Sequence, residues 1–229
     1  MTLAIVIPYR AECPHRARAL AWTIAEYQRT FHGVPIHVAD DGGDDGNGWS
    51  KGHAVSAALR LTSPDADVII VADADSWCDA TTGAVRAVEA FEYSWATPHH
   101  SVSRLSLQAT TEVLGGVHPH AGLELIEGHR PYAAVLGGGI TVIRREMLEA
   151  TPIDPRFRDW GGEDVSWAIA LMARHGKPWQ GTVPLYHLWH PPYQRAGYRF
   201  RQNGNLVRLY QRAVRRNDLD AMVAEAQHA

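Results

Sequence analysis

The sequence predicts an α/β domain on a mixed, mostly parallel sheet flanked by helices, with a helical tail at the C-terminal end. Three observations carry that prediction. Residues 1–90 alternate β-branched apolar runs with segments of helical spacing, the pattern of a parallel sheet covered on both faces. Each of the three runs closes on polar or acidic residues, at the strand edge where such sheets bind ligands. The chain has 229 residues, 45% of them hydrophobic and 21% charged, enough to bury a core without disulfides.

The elements follow in order. Residues 3–8 are a compact apolar run and read as a buried strand. Residues 16–31 place Ala19, Leu20, Trp22, Ile24 and Tyr27 at helical spacing. Residues 34–39 form a second strand that ends in Asp40-Asp41-Gly42-Gly43, and the Gly- and Asp-rich residues 42–48 make a loop. Residues 51–61 read as a helix, with Ala54, Val55, Ala58, Leu59 and Leu61 mostly on one face. Residues 67–72 are the most apolar strand and end in Asp73-Ala74-Asp75; residues 81–90 look helical. The second half is less regular. Residues 97–132, rich in His, Gly, Ser and Pro, read as loops and short strands. Gly137-Gly138-Gly139 precedes a strand over 140–143, and a helix starts near Arg145. Residues 151–163 form a loop, 164–175 a helix, 182–189 a strand and 199–216 a basic helix. The division expected is a domain over 1–198 and a basic helical tail over 199–229, without internal repeats or a linker.

Composition narrows the function. A net charge of −3 gives no strong nucleic-acid signal. The two cysteines, Cys13 and Cys78, cannot make a disulfide framework, and a reducing compartment is the simpler reading. The N-terminal residues lack a signal-peptide pattern, and no run of about 18 apolar residues suggests a membrane span. A soluble, cytoplasmic protein is expected. Thirteen histidines make metal chemistry worth testing.

Four motifs carry chemistry. In Asp73-Ala74-Asp75, residues i and i+2 of an extended chain point the same way, so two carboxylates converge at the sheet edge. A divalent cation, Mn²⁺ or Mg²⁺, relieves their repulsion and can neutralise a diphosphate. Asp41 can accept from a nucleobase N–H or a ribose hydroxyl, or else form a turn into the glycine loop. Trp160-Gly161-Gly162-Glu163-Asp164 combines small residues that admit a ligand with two acids at a helix start. An aspartate there can take a proton from an attacking hydroxyl, or simply cap the helix. His187-Leu188-Trp189-His190-Pro191 offers imidazoles for a transition metal. Positions i and i+3 of a strand face opposite sides, so one histidine, His190, is expected at the metal and His187 in a structural role. The arginines at 195, 199, 201, 208, 212, 215 and 216 read first as a solvated helix face, and otherwise as contacts for phosphate or anionic lipid.

These pieces, in this order, resemble glycosyltransferases of the GT-A fold. Residues 5–79, with Ile7-Pro8-Tyr9-Arg10, Asp40-Asp41-Gly42 and Asp73-Ala74-Asp75, resemble their nucleotide-binding unit, expected over 1–96. Gly137-Gly138-Gly139-Ile140-Thr141-Val142 through Trp160-Gly161-Gly162-Glu163-Asp164 resembles the acceptor half of β-1,4-galactosyltransferases and polypeptide N-acetylgalactosaminyltransferases, expected over 97–198. The resemblance implies transfer of a hexose from a nucleotide sugar, with UDP favoured, to a hydroxyl of a carbohydrate, protein or modified nucleoside. It implies Asp75 and His190 at the metal, and Asp73 at metal or ribose. It implies a donor site of Pro8, Tyr9, Arg10, Asp41, Lys51 and Asp73. Gly138, Gly139, Trp160, Gly162 and Glu163 would face acceptor and sugar. Asp164, with Glu163 beside it, would be catalytic, as the base of an inverting enzyme. Val165 stands where the galactosyltransferases carry a further acid, which puts the acceptor in doubt. The alternatives are a retaining glycosyltransferase, a sugar nucleotidyltransferase and a non-catalytic carbohydrate- or nucleotide-binding module. A nucleotidyltransferase wants a glycine-rich basic loop after the first strand, where Arg10-Ala11-Glu12-Cys13 stands. A dehalogenase-type phosphatase wants its Asp pair near the N-terminus and a lysine with further acids downstream, and only Lys177 follows.

Overall fold

The protein, described by a computed structural model, is seen over residues 2–11, 13–43, 48–192 and 197–229. Parts of two expected features, the glycine loop at 42–48 and the basic stretch at Arg195 and the Arg199 side chain, lie outside the described residues, as does Glu12. The elements run β1 (Thr2–Pro8), α1 (Pro14–Thr30), β2 (Ile36–Ala39), α2 (Lys51–Leu61), β3 (Ala66–Ala72), β4 (Ser76–Trp77), α3 (Thr81–Glu89) and β5 (Trp95–Arg104). The chain continues with α4 (Leu107–Leu114), β6 (Tyr132–Ala133), β7 (Ile140–Arg144), α5 (Arg145–Ala150), α6 (Glu163–His175), β8 (Trp179–His187), α7 (Gly197–Arg216) and α8 (Leu219–His228).

Among the described residues the strands join one sheet in the order β2-β1-β3-β7-β5-β8-β4, with β6 on β5. β2, β1, β3, β5 and β8 share one direction, while β7, β4 and β6 run against them. The sheet is therefore mixed and mostly parallel. Period-two alternation sorts the core. Leu3, Ile5, Ile7, Val68 and Ile70 face Tyr27 of α1 and Val85 and Val88 of α3. Ala4, Val6, Ile69 and Val71 face Val55 of α2, Leu148 of α5 and Trp167 of α6. α1 carries Pro14 at its start, where a missing N–H costs nothing. The Ser50 hydroxyl caps α2 and the Ser106 hydroxyl caps α4.

Residues 97–132 depart from expectation. They contribute most of the ten-residue strand β5 and the helix α4. β5 pairs with β8 over most of its length and with β7 at Trp95 and Ala96, and Thr97, His99 and Ser103 are buried despite being polar. Composition hid a strand that position in the sheet enforces. β8 also shifts: it starts at Trp179 rather than 182 and stops at His187 rather than 189. The residues expected as a helical tail form α7 and α8 and pack on the domain. Tyr210 and Ala213 of α7 and Leu219, Met222 and Val223 of α8 bury themselves against Phe157 and Ala170. No described helix is long and apolar enough to cross a membrane.

The β5–β8 pairing is irregular on both sides of His99, between Thr97 and His99 and between His99 and Ser101. Gly181 permits this: a Cβ there would stand 1.9 Å from the Pro98 carbonyl oxygen. Backbone cannot retreat as a side chain can, so Gly181→Ala is expected to cost about 3 kcal/mol, the upper range for overpacking. Urea denaturation measures it; a variant as stable as the parent would show that β5 and β8 are not held this tightly.

Candidate active site

A cleft of about 370 Å³ opens at the carboxyl ends of β1 and β3. That is the size of an ordinary small-molecule site. The cleft lining includes Pro8 and Arg10 after β1, the group Asp75, His187 and His190, and Trp160, Glu163 and Asp164 at the start of α6.

Asp75 is buried in the turn between β3 and β4. The Asp75 carbonyl accepts from Leu188 N at 2.8 Å, which ties this turn to the end of β8. His187 Nε2 lies 3.7 Å from Asp75 Oδ1, and His190 Nε2 lies 3.5 Å from Asp75 Oδ2. One ligand atom from each of the three residues falls within 4.8 Å of the others. Both histidines therefore reach one point, against the strand-based expectation for His187. The reason is that β8 ends at His187. Leu188 then turns into the core beside α4, and Trp189 N donates to Thr110 Oγ1 at 2.8 Å, which leaves the ladder and swings His190 back. Burial by itself would raise the Asp75 carboxyl, but His187, Arg16 and His190 hold it below the ordinary carboxylate range. Burial lowers the His187 imidazole, with Asp75 opposing.

The donor set suits a divalent cation. His190 Nδ1 stands 2.8 Å from the Pro191 carbonyl oxygen, which can only accept. That bond places a proton on Nδ1 and makes Nε2 the ring nitrogen turned towards Asp75, the one available to a cation. Two imidazoles and one carboxylate favour a first-row transition ion over Mg²⁺. Asp73 lines the same cleft but pairs with Lys51. Its Oδ1 lies 2.8 Å from Lys51 Nζ, and Asp73 does not belong to the three-residue group. The turn after Ala72 breaks the i, i+2 geometry that would have brought the two acids together.

Lys51 is the hub of the opposite wall. Its Nζ also lies 2.8 Å from Asp164 Oδ1. Burial opposes the ammonium charge, but Asp164, Asp73 and Glu163 overcome it and raise the pKa. Asp164 opens α6 behind Gly161 and Gly162, whose φ values of 107° and 101° admit little but glycine. A Cβ on Gly138 would stand 2.8 Å from Asp164 Oδ2. The glycine triplet thus allows this carboxylate into the cleft wall. Burial lifts the Asp164 carboxyl above the ordinary range, with Lys51 acting against the rise. Glu163 accepts from Gly161 N at 2.9 Å.

At the other end, Arg10 binds Asp40, Asp41 and the Gly43 carbonyl. The Asp41 side chain is fully buried and also accepts from Ser50 N at 2.8 Å and Gly43 N at 3.3 Å. Its carboxylate is committed to the loop, so Arg10, not Asp41, presents itself to the cleft. Tyr9 packs against the core, with the Arg16 guanidinium 5.9 Å from its ring centroid. Trp160 stands at the rim with 48% of its surface exposed. The sequence reading missed Arg16, Trp49, His99, Arg104 and Asp159, which also line the cleft. Arg16 and His99 occupy elements whose pattern reports packing alone. Asp159 carried a signal: it abuts Trp160, and its side chain and backbone grip both backbone groups of Trp49.

No protein-family model matches the sequence, and no curated protein matches it either. Solved structures do. Glucosyl-3-phosphoglycerate synthase from Mycobacterium tuberculosis, in complex with Mn²⁺, UDP-glucose and phosphoglyceric acid, superimposes with a TM-score of 0.54 at 16% identity over 93% of this chain and 79% of that one. Its complex with Mg²⁺ and UDP gives 0.53 at the same identity and coverage. A Drosophila β-1,4-galactosyltransferase 7 mutant with manganese, UDP-galactose and xylobiose gives 0.49 at 14% identity, over 88% of this chain and 79% of that one, too loose to argue from. The shared architecture is the GT-A fold.

Burial, then Asp164, pushes the Glu163 carboxyl up to about 7 from its ordinary 4.5. The folded state keeps a proton that the unfolded chain releases across that interval. This contribution to stability is full below pH 4.5 and is lost as pH rises to about 7. Glu163→Gln should therefore gain stability relative to the parent over that window, measured by urea denaturation against pH. Parallel curves for the two proteins would contradict the burial of Glu163.

Proposed function

We propose that the protein is a metal-dependent glycosyltransferase that moves a hexose from a nucleotide sugar, a UDP-hexose, to an acceptor hydroxyl with inversion. One observation carries the proposal: a single cleft gathers Asp75, His187 and His190 at one site and presents the Lys51-bound Asp164 at another. The fold it shares with a synthase solved with Mn²⁺ and UDP-glucose supports the choice of donor.

Asp75, His187 and His190 would hold the divalent ion, Mn²⁺ in preference to Mg²⁺. When bound, that ion supplies positive charge to the diphosphate leaving group. Pro8 and Arg10 line the nucleotide end, and Arg16 adds a guanidinium beside Asp75 at 3.3 Å. Trp160, half exposed at the cleft, offers aromatic surface to a sugar. Asp164 acts as general base. It takes the acceptor proton as the acceptor oxygen bonds to the anomeric carbon and the bond from that carbon to the phosphate oxygen breaks. Its raised pKa makes it a stronger base than a solvated aspartate. Lys51 anchors one oxygen, Oδ1, and so orients the carboxylate. Glu163 holds the Gly161 turn from which α6 starts.

Two outcomes test this reading. Asp75→Ala and His190→Ala should each weaken Mn²⁺ binding by at least about a hundredfold, measured by calorimetry or by the EPR signal of free Mn²⁺. Unchanged Mn²⁺ affinity in both variants would remove the metal site. Asp164→Asn should keep UDP-hexose affinity within a few-fold and slow transfer by roughly a thousandfold. NMR of the product should show the anomeric configuration opposite to that of the donor. Retention, or a loss of binding as large as the loss of rate, would remove Asp164 as base.

A further inference from the structure

His99 is an imidazole that the proposed chemistry leaves without a task. It is 1% exposed, sits in the middle of β5, and lines the cleft. Its Nδ1 is buried without a hydrogen-bond partner among the described residues. An unpaired polar atom inside a native core calls for a physical reason. The backbone supplies a second indication. Both flanks of His99 are register irregularities in the β5–β8 ladder, and such bulges re-aim side chains beside functional sites. Gly139 lies beside the ring: a Cβ there would meet Leu185 Cδ1 at 2.5 Å, with His99 Cε1 at 3.4 Å and Nε2 at 3.5 Å, so the Nε2 edge of the imidazole borders the Gly139 backbone. The Gly139 carbonyl in turn accepts from Asp73 N at 2.7 Å.

Sheet order fixes what lies over this ring. Arg10 follows β1, Asp73 follows β3, Gly139 precedes β7, and His99 is on β5, in the spatial order β1-β3-β7-β5. Gly139 accepts from Asp73 N and borders the His99 ring, so His99 lies on the far side of the start of β7 from Asp73 and Arg10. It shares that part of the floor with Gly138, whose Cα abuts Asp164. With the nucleotide at the Arg10 end, as proposed above, the part of the donor over His99 would be the sugar.

From this placement we infer that His99 is a specificity-determining residue that hydrogen-bonds a hydroxyl of the transferred hexose. The inference rests on the glycosyltransferase reading and adds to it a residue that distinguishes one hexose from another. A sugar hydroxyl both donates and accepts, which matches a neutral imidazole with one donor and one acceptor nitrogen. Burial drives the His99 pKa down to about 4, so the ring is neutral near pH 7. Nδ1 is shut off from the cleft, so the hydroxyl pairs with Nε2, and a hexose with that hydroxyl on the other face leaves Nε2 unpaired in a water-poor site. Sites of that kind discriminate strongly.

The test is calorimetry with Mn²⁺ present, comparing UDP, UDP-glucose, UDP-galactose and UDP-N-acetylglucosamine. His99→Phe keeps an aromatic ring and removes both nitrogens; His99→Gln keeps a donor near the Nε2 position. The parent protein should bind at least one UDP-sugar more tightly than UDP and prefer one hexose over its C4 epimer. In His99→Phe the affinity for UDP should stay within about twofold, while the gain from the sugar and the epimer preference each shrink about tenfold. His99→Gln should recover part of both. Thermal melting of both variants checks the fold, and the unchanged UDP affinity checks the cleft. If both variants keep the parent's sugar gain and epimer preference, the inference is wrong and the donor reading stands. If the parent itself binds no UDP-sugar, the donor reading fails and this inference falls with it.

Discussion

A buried ammonium lies between two carboxylates from distant parts of the chain. Lys51, at the first turn of α2, meets Asp73 at the end of β3 and Asp164 at the start of α6, each at 2.8 Å. Four acids, Asp73, Asp75, Glu163 and Asp164, face or border one cleft. Desolvating any one of them alone costs several kcal/mol. Lys51 offsets two of them, while Arg16, His187 and His190 surround Asp75. The cleft is thereby split into two electrostatic compartments, one built around a carboxylate and two imidazoles and one around an ammonium. The division separates the proposed leaving-group end from the proposed base.

Close backbone approach makes that arrangement possible. Gly52 runs past the Ile153 carbonyl, where a Cβ would stand 2.5 Å away, so the start of α2 presses against the loop before α6. Ser50 Oγ donates to the Pro155 carbonyl at 2.9 Å in the same seam. Lys51 is carried into the site between these two contacts. Gly137 has the same role on the far side, since a Cβ there would stand 2.9 Å from the Asp164 carbonyl oxygen. The glycines flanking the acids thus serve the charges by admitting backbone. α7 and α8 add support from behind, through Tyr210 Oη, which donates to Asp154 Oδ2 at 3.0 Å, and Asn203, which bonds both backbone groups of Arg158.

Legibility in the sequence followed physical rules. The strands β1 and β3 and helices α2 and α3 were visible because each buries one apolar face or two, and burial writes a period into the residues. β5 was not visible. Its pairing with β8 runs from Ala96 to Arg104 and holds the strand in place, so it tolerates Thr97, Pro98, His99 and His100. His187 and His190 were assigned opposite sides because a strand was carried two residues too far. Asp73 and Asp75 both reach the cleft, but the chain turns between them and Asp73 pairs with Lys51.

The sequence by itself determined the βα alternation, the acids at the strand ends and the glycines before Asp164, because these depend on neighbours within a few residues. Only the tertiary structure decided which charges meet. Lys51 and Asp164 are 113 positions apart, and the Asp75–His190 pair closes a similar distance. Such pairings arise from strand order and from where each strand stops. Both are set by competition among all segments for burial, and no local pattern records the outcome.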